Sequence, residues 1–283
     1  MFPTLCKIGP LTVHSYGLMM ALGFLTSLYF IQREARRAGL DPNVVADLAF
    51  WVLLLGLAGA RVLHIIMFSD SYSWNDPIGW IAVWRGGLVF QGGPPPAILF
   101  GYWYLKRRNM SFWKTVDVGF PYLALGHAFG RIGCFLNGCC YGLPTSLPWG
   151  IRFPRVPFDV GQDATGSPPF LDHVQRFSKI SMNDQWSLPM HPTQLYEFLA
   201  LIAICVSLLL LRKYWHPFQG FTMPVYFILY GLWRFFNEYL RGDHNPTHVL
   251  ALSDQQIFSL AFAVLSVVLF FVLKRFQSTK SNL

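Results

Sequence analysis

The sequence predicts an all-α polytopic membrane protein of about seven transmembrane helices, with a small extracytoplasmic head between the fourth and the fifth. Three observations predict it. Of 283 residues, 53% are hydrophobic and only 13% are charged, against about 25% charged in an ordinary soluble domain. The apolar residues come in long uninterrupted runs, as in helices solvated by lipid. The short loops between those runs alternate in basic charge. The net charge of +8 is therefore a topology signal, and no nucleic-acid partner is expected, because the basic residues sit in clusters between apolar runs.

The first span, 12–31, follows a terminus with one lysine and no cleavage pattern, so it is expected to act as an uncleaved signal. The second is 44–67. The third, 87–105, is interrupted by Gly86-Gly87, Gly92-Gly93 and Pro94-Pro95-Pro96. A proline run cannot continue an ordinary helix, so 85–96 is expected to face a cavity. The fourth, 116–136, leads into a segment dense in glycine and cysteine. The stretch from 143 to 194 is the only long extramembrane piece, rich in proline, glycine and aspartate. Residues 143–190 are expected to form a head or lid inserted into a single membrane-embedded domain, 1–283. Spans at 195–211, 219–240 and 255–273 complete the set, each of a length suited to a hydrocarbon core about 30 Å thick. No internal repeat argues for an inverted-repeat transporter.

Twelve basic residues (Arg33, Arg36, Arg37, Lys106, Arg107, Arg108, Lys114, Arg212, Lys213, Lys274, Arg275, Lys280) fall on one side of this layout. Seven fall on the other (Lys7, Arg85, Arg152, Arg155, Arg176, Lys179, Arg241), four of them in the long loop. The positive-inside rule then puts the N-terminus outside and the C-terminus in the cytoplasm.

The remaining three of the 22 basic residues are Arg61, Arg131 and Arg234, within or near the ends of spans. A central arginine costs about 2.5–3.5 kcal/mol on insertion scales. Pairing with buried acids would offset this, and Glu197 and Glu238 are candidates. Buried arginines nevertheless outnumber obvious buried acids, so net positive charge is expected in the membrane, with an anion from outside the chain as its partner. A planar guanidinium suits a phosphate. Helix spacing places His127, Cys134 and Gly138 beside Arg131, and Tyr230, Asn237, Glu238 and Arg241 beside Arg234, so each arginine lies on a polar stripe. Gly126 and Gly130 have the spacing that lets two helices approach closely.

Three of the five cysteines fall together, at Cys134, Cys139 and Cys140. A zinc site normally needs a fourth ligand and wider spacing, so burial as small apolar side chains is the favoured reading and no metal is expected. A disulfide involving Cys134 stays open. The histidines at 14, 64, 127 and 191 lie near span ends, where hydrogen bonding is their commoner use. The run His191-Pro192-Thr193-Gln194-Leu195-Tyr196-Glu197 leads polar groups directly into a span.

In order along the chain stand His14-Ser15-Tyr16-Gly17-Leu18, Gly86-Gly87-Leu88-Val89-Phe90-Gln91-Gly92-Gly93, the signature from Gly130-Arg131 to Tyr141-Gly142, the run from His191 to Glu197, and Tyr230-Gly231-Leu232-Trp233-Arg234 with Glu238 and Arg241. Over essentially the whole chain these motifs resemble bacterial prolipoprotein diacylglyceryl transferases, in a cysteine-rich form of the signature. The resemblance implies transfer of the diacylglyceryl group of phosphatidylglycerol to the lipobox cysteine of a preprolipoprotein. A thioether forms and glycerol phosphate leaves, with no cofactor, in the bacterial inner membrane. It implies catalytic roles for Arg131, Arg234 and Tyr16, with Arg131 on the lipid headgroup. It implies substrate-binding positions at Gln91, Asn137, Gly142, Tyr230, Glu238, Arg241, His191 and Glu197. The family commonly has asparagine at the position of Cys134, glutamate at that of Cys139 and histidine at that of Gln91. Glutamine is no general base at neutral pH, so a histidine-base mechanism does not carry over. Two other classes fit the residues: a transporter or flippase for an anionic lipid, and a membrane thiol–disulfide protein built on the three cysteines.

Overall fold

A computed structural model describes residues 2–8, 11–73, 76–83, 86–155, 167–177, 180–243, 248–249 and 252–281. Arg85, Lys179 and residues 156–166 of the expected head lie outside that set. The described chain is mostly helical. An antiparallel pair of strands, β1 (Thr4–Ile8) and β2 (Leu11–His14), leads into α1 (Ser15–Arg37) and α2 (Pro42–Met67). There follow α3 (Pro77–Ile81), α4 (Pro94–Arg107), α5 (Phe112–Asn137), the one-turn helix α6 (Pro168–Asp172), α7 (Thr193–Tyr214) and α8 (Thr222–Glu238). A second short pair, β3 (His248–Val249) and β4 (Leu252–Ser253), precedes α9 (Asp254–Ser281). Every expected span contains a helix. The two strand pairs correct the all-α expectation, and the first helix begins at Ser15 rather than at 12 because β2 runs to His14.

Among the described residues, four helices are long and apolar enough to cross a membrane: α1, α2, α7 and α9 over Asp254–Gln277. The other three candidates fall short for visible reasons. Helix α4 has 14 residues and α8 has 17, below or at the margin of the 17–25 or so that a bilayer needs. Helix α5 has the length but carries Lys114, Asp117, His127 and Arg131. Large apolar side chains stand exposed along α9, among them Leu265 at 65% and Phe271 at 62%, as a lipid-facing surface requires.

The chain divides into two compact units, residues 28–118 and residues 1–27 with 119–283. In the first, α2 and α4 lie side by side. Gly59 and Gly92 meet backbone to backbone, and a Cβ on either would collide with the other's carbonyl oxygen. The expected span 87–105 is interrupted where the sequence suggested: residues 87–93 form no α-helix, and Pro94-Pro95-Pro96 form the first turn of α4. The amides missing there have no intrahelical partner in any helix, so prolines cost little.

In the second unit, α5, α7 and α8 share a core of Ala124, Ala128, Leu201, Ile204, Cys205, Leu208 and Tyr226. Helix α1 crosses α5 on the expected small residues. A Cβ on Gly126 would reach the Ser27 hydroxyl at 2.9 Å, and one on Gly23 would reach Phe129 Cβ at 2.7 Å. Ser27 Oγ donates to the Tyr122 carbonyl at 2.8 Å. The described parts of 143–190 pair with one another beside the ends of these helices, where Leu143 N donates to Leu240 O. Pro144 and Ile151 each bridge to Met190, and Pro154 to Trp186, over a small core of Tyr141, Phe153 and Met190.

Candidate active site

The second unit gathers most of the candidate residues. Helix α5 presents Arg131 and, one turn earlier, His127. Helix α7 presents Glu197 and α8 presents Tyr226 and Tyr230. Arg131 Nη2 lies 3.1 Å from Glu197 Oε1, with the arginine side chain 16% and the glutamate 1% exposed. Tyr230 donates its hydroxyl to the same oxygen at 2.8 Å. The guanidinium also reaches His127 Nε2 at 3.3 Å, and His127 Nδ1 lies 3.2 Å from the Tyr226 hydroxyl. An arginine only donates, so Nε2 is the acceptor and the ring proton sits on Nδ1, facing Tyr226. The Tyr226 and Tyr230 rings stack at 5.9 Å, and His127 meets Tyr230 edge-on at 5.0 Å.

The two acids that the sequence offered as partners are both in use. Arg131 and Arg234 are each paired with a buried carboxylate: Arg234 Nη1 with Glu238, one turn on. Glu238 also accepts from Ser253 Oγ at 3.4 Å. Arg241 holds Asp243 with two parallel bonds at 2.9 and 2.6 Å. Each fork keeps spare donors even so. Among the described residues, Nη1 and Nε of Arg131 and Nη2 and Nε of Arg234 make no hydrogen bond. A pair that leaves half a guanidinium open is a receptor for a further anion.

Arg61 differs. It lies in the first unit, 7% exposed. Its Nε donates to the Trp80 carbonyl at 3.1 Å, Nη1 to those of Gly86 and Gly87 at 2.6 and 2.7 Å, and Nη2 to that of Gly79. The guanidinium lies over the Tyr72 ring at 5.1 Å. Four of its five N–H donors are taken by the loop it holds. Gln91 also belongs to the first unit, exposed in a tight turn over Phe90–Gly92.

At the C-terminal end of α5 the chain reverses through two left-handed residues, Gly138 (φ 76°) and Cys140 (φ 59°). Thr193 Oγ1 donates to the Cys140 carbonyl and Gln194 Nε2 to that of Cys139, both at 2.7 Å. The run leading into α7 thus grips the signature, and Glu197 lies one turn further along. Asn137 ends α5, partly buried. Gly142 shows why glycine stands there: a Cβ would lie 2.6 Å from both Cβ and O of His191 and 2.8 Å from the Leu240 carbonyl. Its amide donates to the His191 carbonyl at 3.1 Å, and Leu143 N donates to Leu240 O at 2.8 Å. Three segments, 138–143, 189–194 and 240–243, are thereby stitched through one glycine. His191 faces Tyr196 at 3.4 Å through Nδ1.

Tyr16, in the first turn of α1, packs on Gly133, where a Cβ would meet Tyr16 Cδ2 at 3.0 Å. It lies within electrostatic reach of Arg131, Cys134, Cys139 and Cys140. The three thiols are free, and their Sγ atoms all lie within 4.8 Å of one another. Tyr226 and Asp243 carry contacts that sequence reasoning missed. Tyr226 extends the stripe one turn before Tyr230, so the same helical spacing would have found it. Asp243 follows the end of α8, beyond the reach of helical spacing.

Comparison with known proteins gives the chain a family. A family model described as prolipoprotein diacylglyceryl transferase matches residues 3–272. A phosphatidylglycerol–prolipoprotein diacylglyceryl transferase of Synechococcus elongatus is 34% identical, over 96% of this chain and 89% of its own. One of Finegoldia magna is 33% identical over 90% and 88%. One of Clostridium tetani is 30% identical over 98% and 99%.

Proposed function

The chain belongs to the prolipoprotein diacylglyceryl transferase family, and from that premise we propose that it moves the diacylglyceryl group of phosphatidylglycerol onto the lipobox cysteine of preprolipoproteins. The observation that carries the reading is the half-open fork of Arg131, oriented by Glu197 and His127 and left with two donors for a headgroup.

In the proposed reaction Arg131 and Arg234 hold the phosphate and stabilise the charge that gathers on it. The incoming sulfur, as thiolate, attacks the glycerol carbon opposite the phosphate oxygen. The carbon–sulfur bond forms, the carbon–oxygen bond breaks, and the electron pair leaves on glycerol phosphate; the thiol proton goes to solvent or to that product. Tyr16 stands over the signature side of the site, and Tyr230 fixes the carboxylate that fixes Arg131. Asn137, Gly142, His191 and Arg241 shape its mouth, and Gln91 belongs to the lipid-binding set.

We place the protein in the bacterial inner membrane with seven spans, the N-terminus outside and the C-terminus in the cytoplasm. The short helices α4 and α8 and the polar α5 span because neighbouring helices and the bound lipid cover their polar atoms. Residues 143–190 form the extracytoplasmic head and receive the signal peptide, in a chain that works as one membrane-embedded domain. The test mixes purified protein, phosphatidylglycerol vesicles and a lipobox peptide, and weighs the peptide by mass spectrometry. A mass gain of one diacylglyceryl group is expected, and its loss in Arg131→Ala. An unmodified peptide, or modification undiminished in that variant, overturns the reading.

A further inference from the structure

We propose that Cys134, Cys139 and Cys140 form a three-thiolate site for a zinc-class divalent ion, with a fourth position open to the incoming lipobox thiol. Sequence spacing argued against such a site, because adjacent cysteines ordinarily point apart. The backbone removes that objection. The left-handed turn at Gly138 and Cys140 brings both Cys139 and Cys140 round to face Cys134, one helical turn beyond Arg131. Thr193 and Gln194 pin the two carbonyls of that turn, so the convergence is held from α7 rather than left to side-chain rotation.

The dimensions and the charge both fit. Zinc–sulfur bonds of about 2.3 Å put tetrahedral sulfurs roughly 3.8 Å apart, and Sγ atoms already within 4.8 Å of one another reach that by small rotations. Three thiolates on a divalent ion carry net negative charge. Arg131 and Arg241 both lie within electrostatic range of Cys140 and offset it. Thiolate ligands select zinc-like or monovalent soft ions over magnesium or calcium. Three protein ligands and one open position is the arrangement of catalytic rather than structural zinc.

The role follows from what the site borders and what the chain lacks. A thiol bound to such an ion is deprotonated. Its proton passes to water, the sulfur stays anionic beside the Arg131 fork, and on attack the carbon–sulfur bond replaces the sulfur–metal bond. That supplies a thiolate without a protein base, in a chain with glutamine at position 91. This role rests on the transferase reading; ion binding does not.

The experiment uses the full chain, purified in detergent under reducing conditions, stripped with chelator and titrated with Co²⁺. About one Co²⁺ per chain is expected, with a strong sulfur-to-cobalt charge-transfer band, displaced by Zn²⁺. Cys139→Ser, at a partly exposed position, is expected to weaken Co²⁺ binding about tenfold or more, while Cys205→Ser leaves the band unchanged. Absence of Co²⁺ binding, binding without charge transfer, or a band insensitive to Cys139→Ser overturns the site. Transfer to a lipobox peptide is expected to fall at least about tenfold on stripping and to return with Zn²⁺. Full activity in the stripped protein overturns the thiol-binding role. A charge-transfer band with no transfer in any metal state leaves the ion site standing and overturns the transferase reading instead.

Discussion

Arg131 and Glu197 are joined through a single carboxylate oxygen, Oε1, 3.1 Å from Nη2 and also bonded to the Tyr230 hydroxyl at 2.8 Å. The glutamate is almost wholly buried, and the arginine keeps two nitrogens free. The pair is thus an aiming device, in which protein contacts fix one edge of the guanidinium and present the other. Glu197→Ala leaves a buried cation without its carboxylate, a loss that typically costs about 3–5 kcal/mol. Thermal unfolding in detergent is expected to show a large drop in midpoint. Glu197→Gln, which keeps the acceptor for Tyr230, is expected to fall between the two. Equal midpoints for all three proteins would refute the pairing.

The same geometry separates charge from shape. Arg131→Lys keeps the positive charge but loses the planar fork and the simultaneous contacts to Glu197 and His127. A hydrogen bond to a charged group contributes about 1.5–3 kcal/mol, so transfer is expected to fall about 10- to 100-fold with folding retained. Arg131→Ala is expected to fall further. Activity of the lysine variant within about twofold of the parent would reduce Arg131 to a point charge.

Helical periodicity made the polar stripes readable: His127 beside Arg131 and Tyr230 and Glu238 beside Arg234 follow from spacing alone, and Glu197 was readable as an acid opening a span. What spacing could not show was which acid meets which arginine, because Glu197 and Arg131 are 66 residues apart on different helices. The proline run was readable as an interruption but not as a helix start, since prolines that break a helix interior also make a good first turn. The short strands were invisible because two- to five-residue pairs leave no periodicity to detect. The thiol convergence depends on backbone φ at Gly138 and Cys140, which no pattern of residue types encodes.

Gly142→Ala tests the stitch between the three segments. The new Cβ would meet backbone and Cβ atoms at 2.6–2.8 Å, none of them the end of a flexible side chain. The chain must move, carrying the Cys139–Cys140 turn or the His191 run with it. Loss of transfer together with a lowered unfolding midpoint is expected. A variant with normal stability and activity would mean that 142 tolerates displacement.

Arg61 provides the contrast. Its three nitrogens satisfy four carbonyls of one loop, so Arg61→Ala strips partners from part-buried acceptors, at about 1–3 kcal/mol for any acceptor that water does not reach. The folded fraction is expected to fall, with transfer per folded molecule within about threefold of the parent. Transfer abolished in a variant with an unchanged midpoint would move Arg61 into the chemistry.

His173 sets a pH dependence on the expected head. It is 1% exposed, and its Nδ1 accepts the Leu188 amide at 3.1 Å. Burial lowers its pKa below the ordinary value, Asp172 partly restores it and Arg176 lowers it again. The folded state therefore binds this proton less readily than the unfolded chain. Above the unfolded pKa of about 6.5 both states are neutral and the group costs nothing. As pH falls through that value the unfolded chain takes up a proton that the folded site resists, so stability declines toward the folded pKa. His173→Asn keeps an acceptor near the Leu188 amide but cannot titrate. Between pH 7.5 and 5.5 its unfolding midpoint is expected to decline less steeply than that of the parent. Parallel slopes would show that His173 titrates alike in both states, and the Leu188 contact would then not depend on a neutral ring.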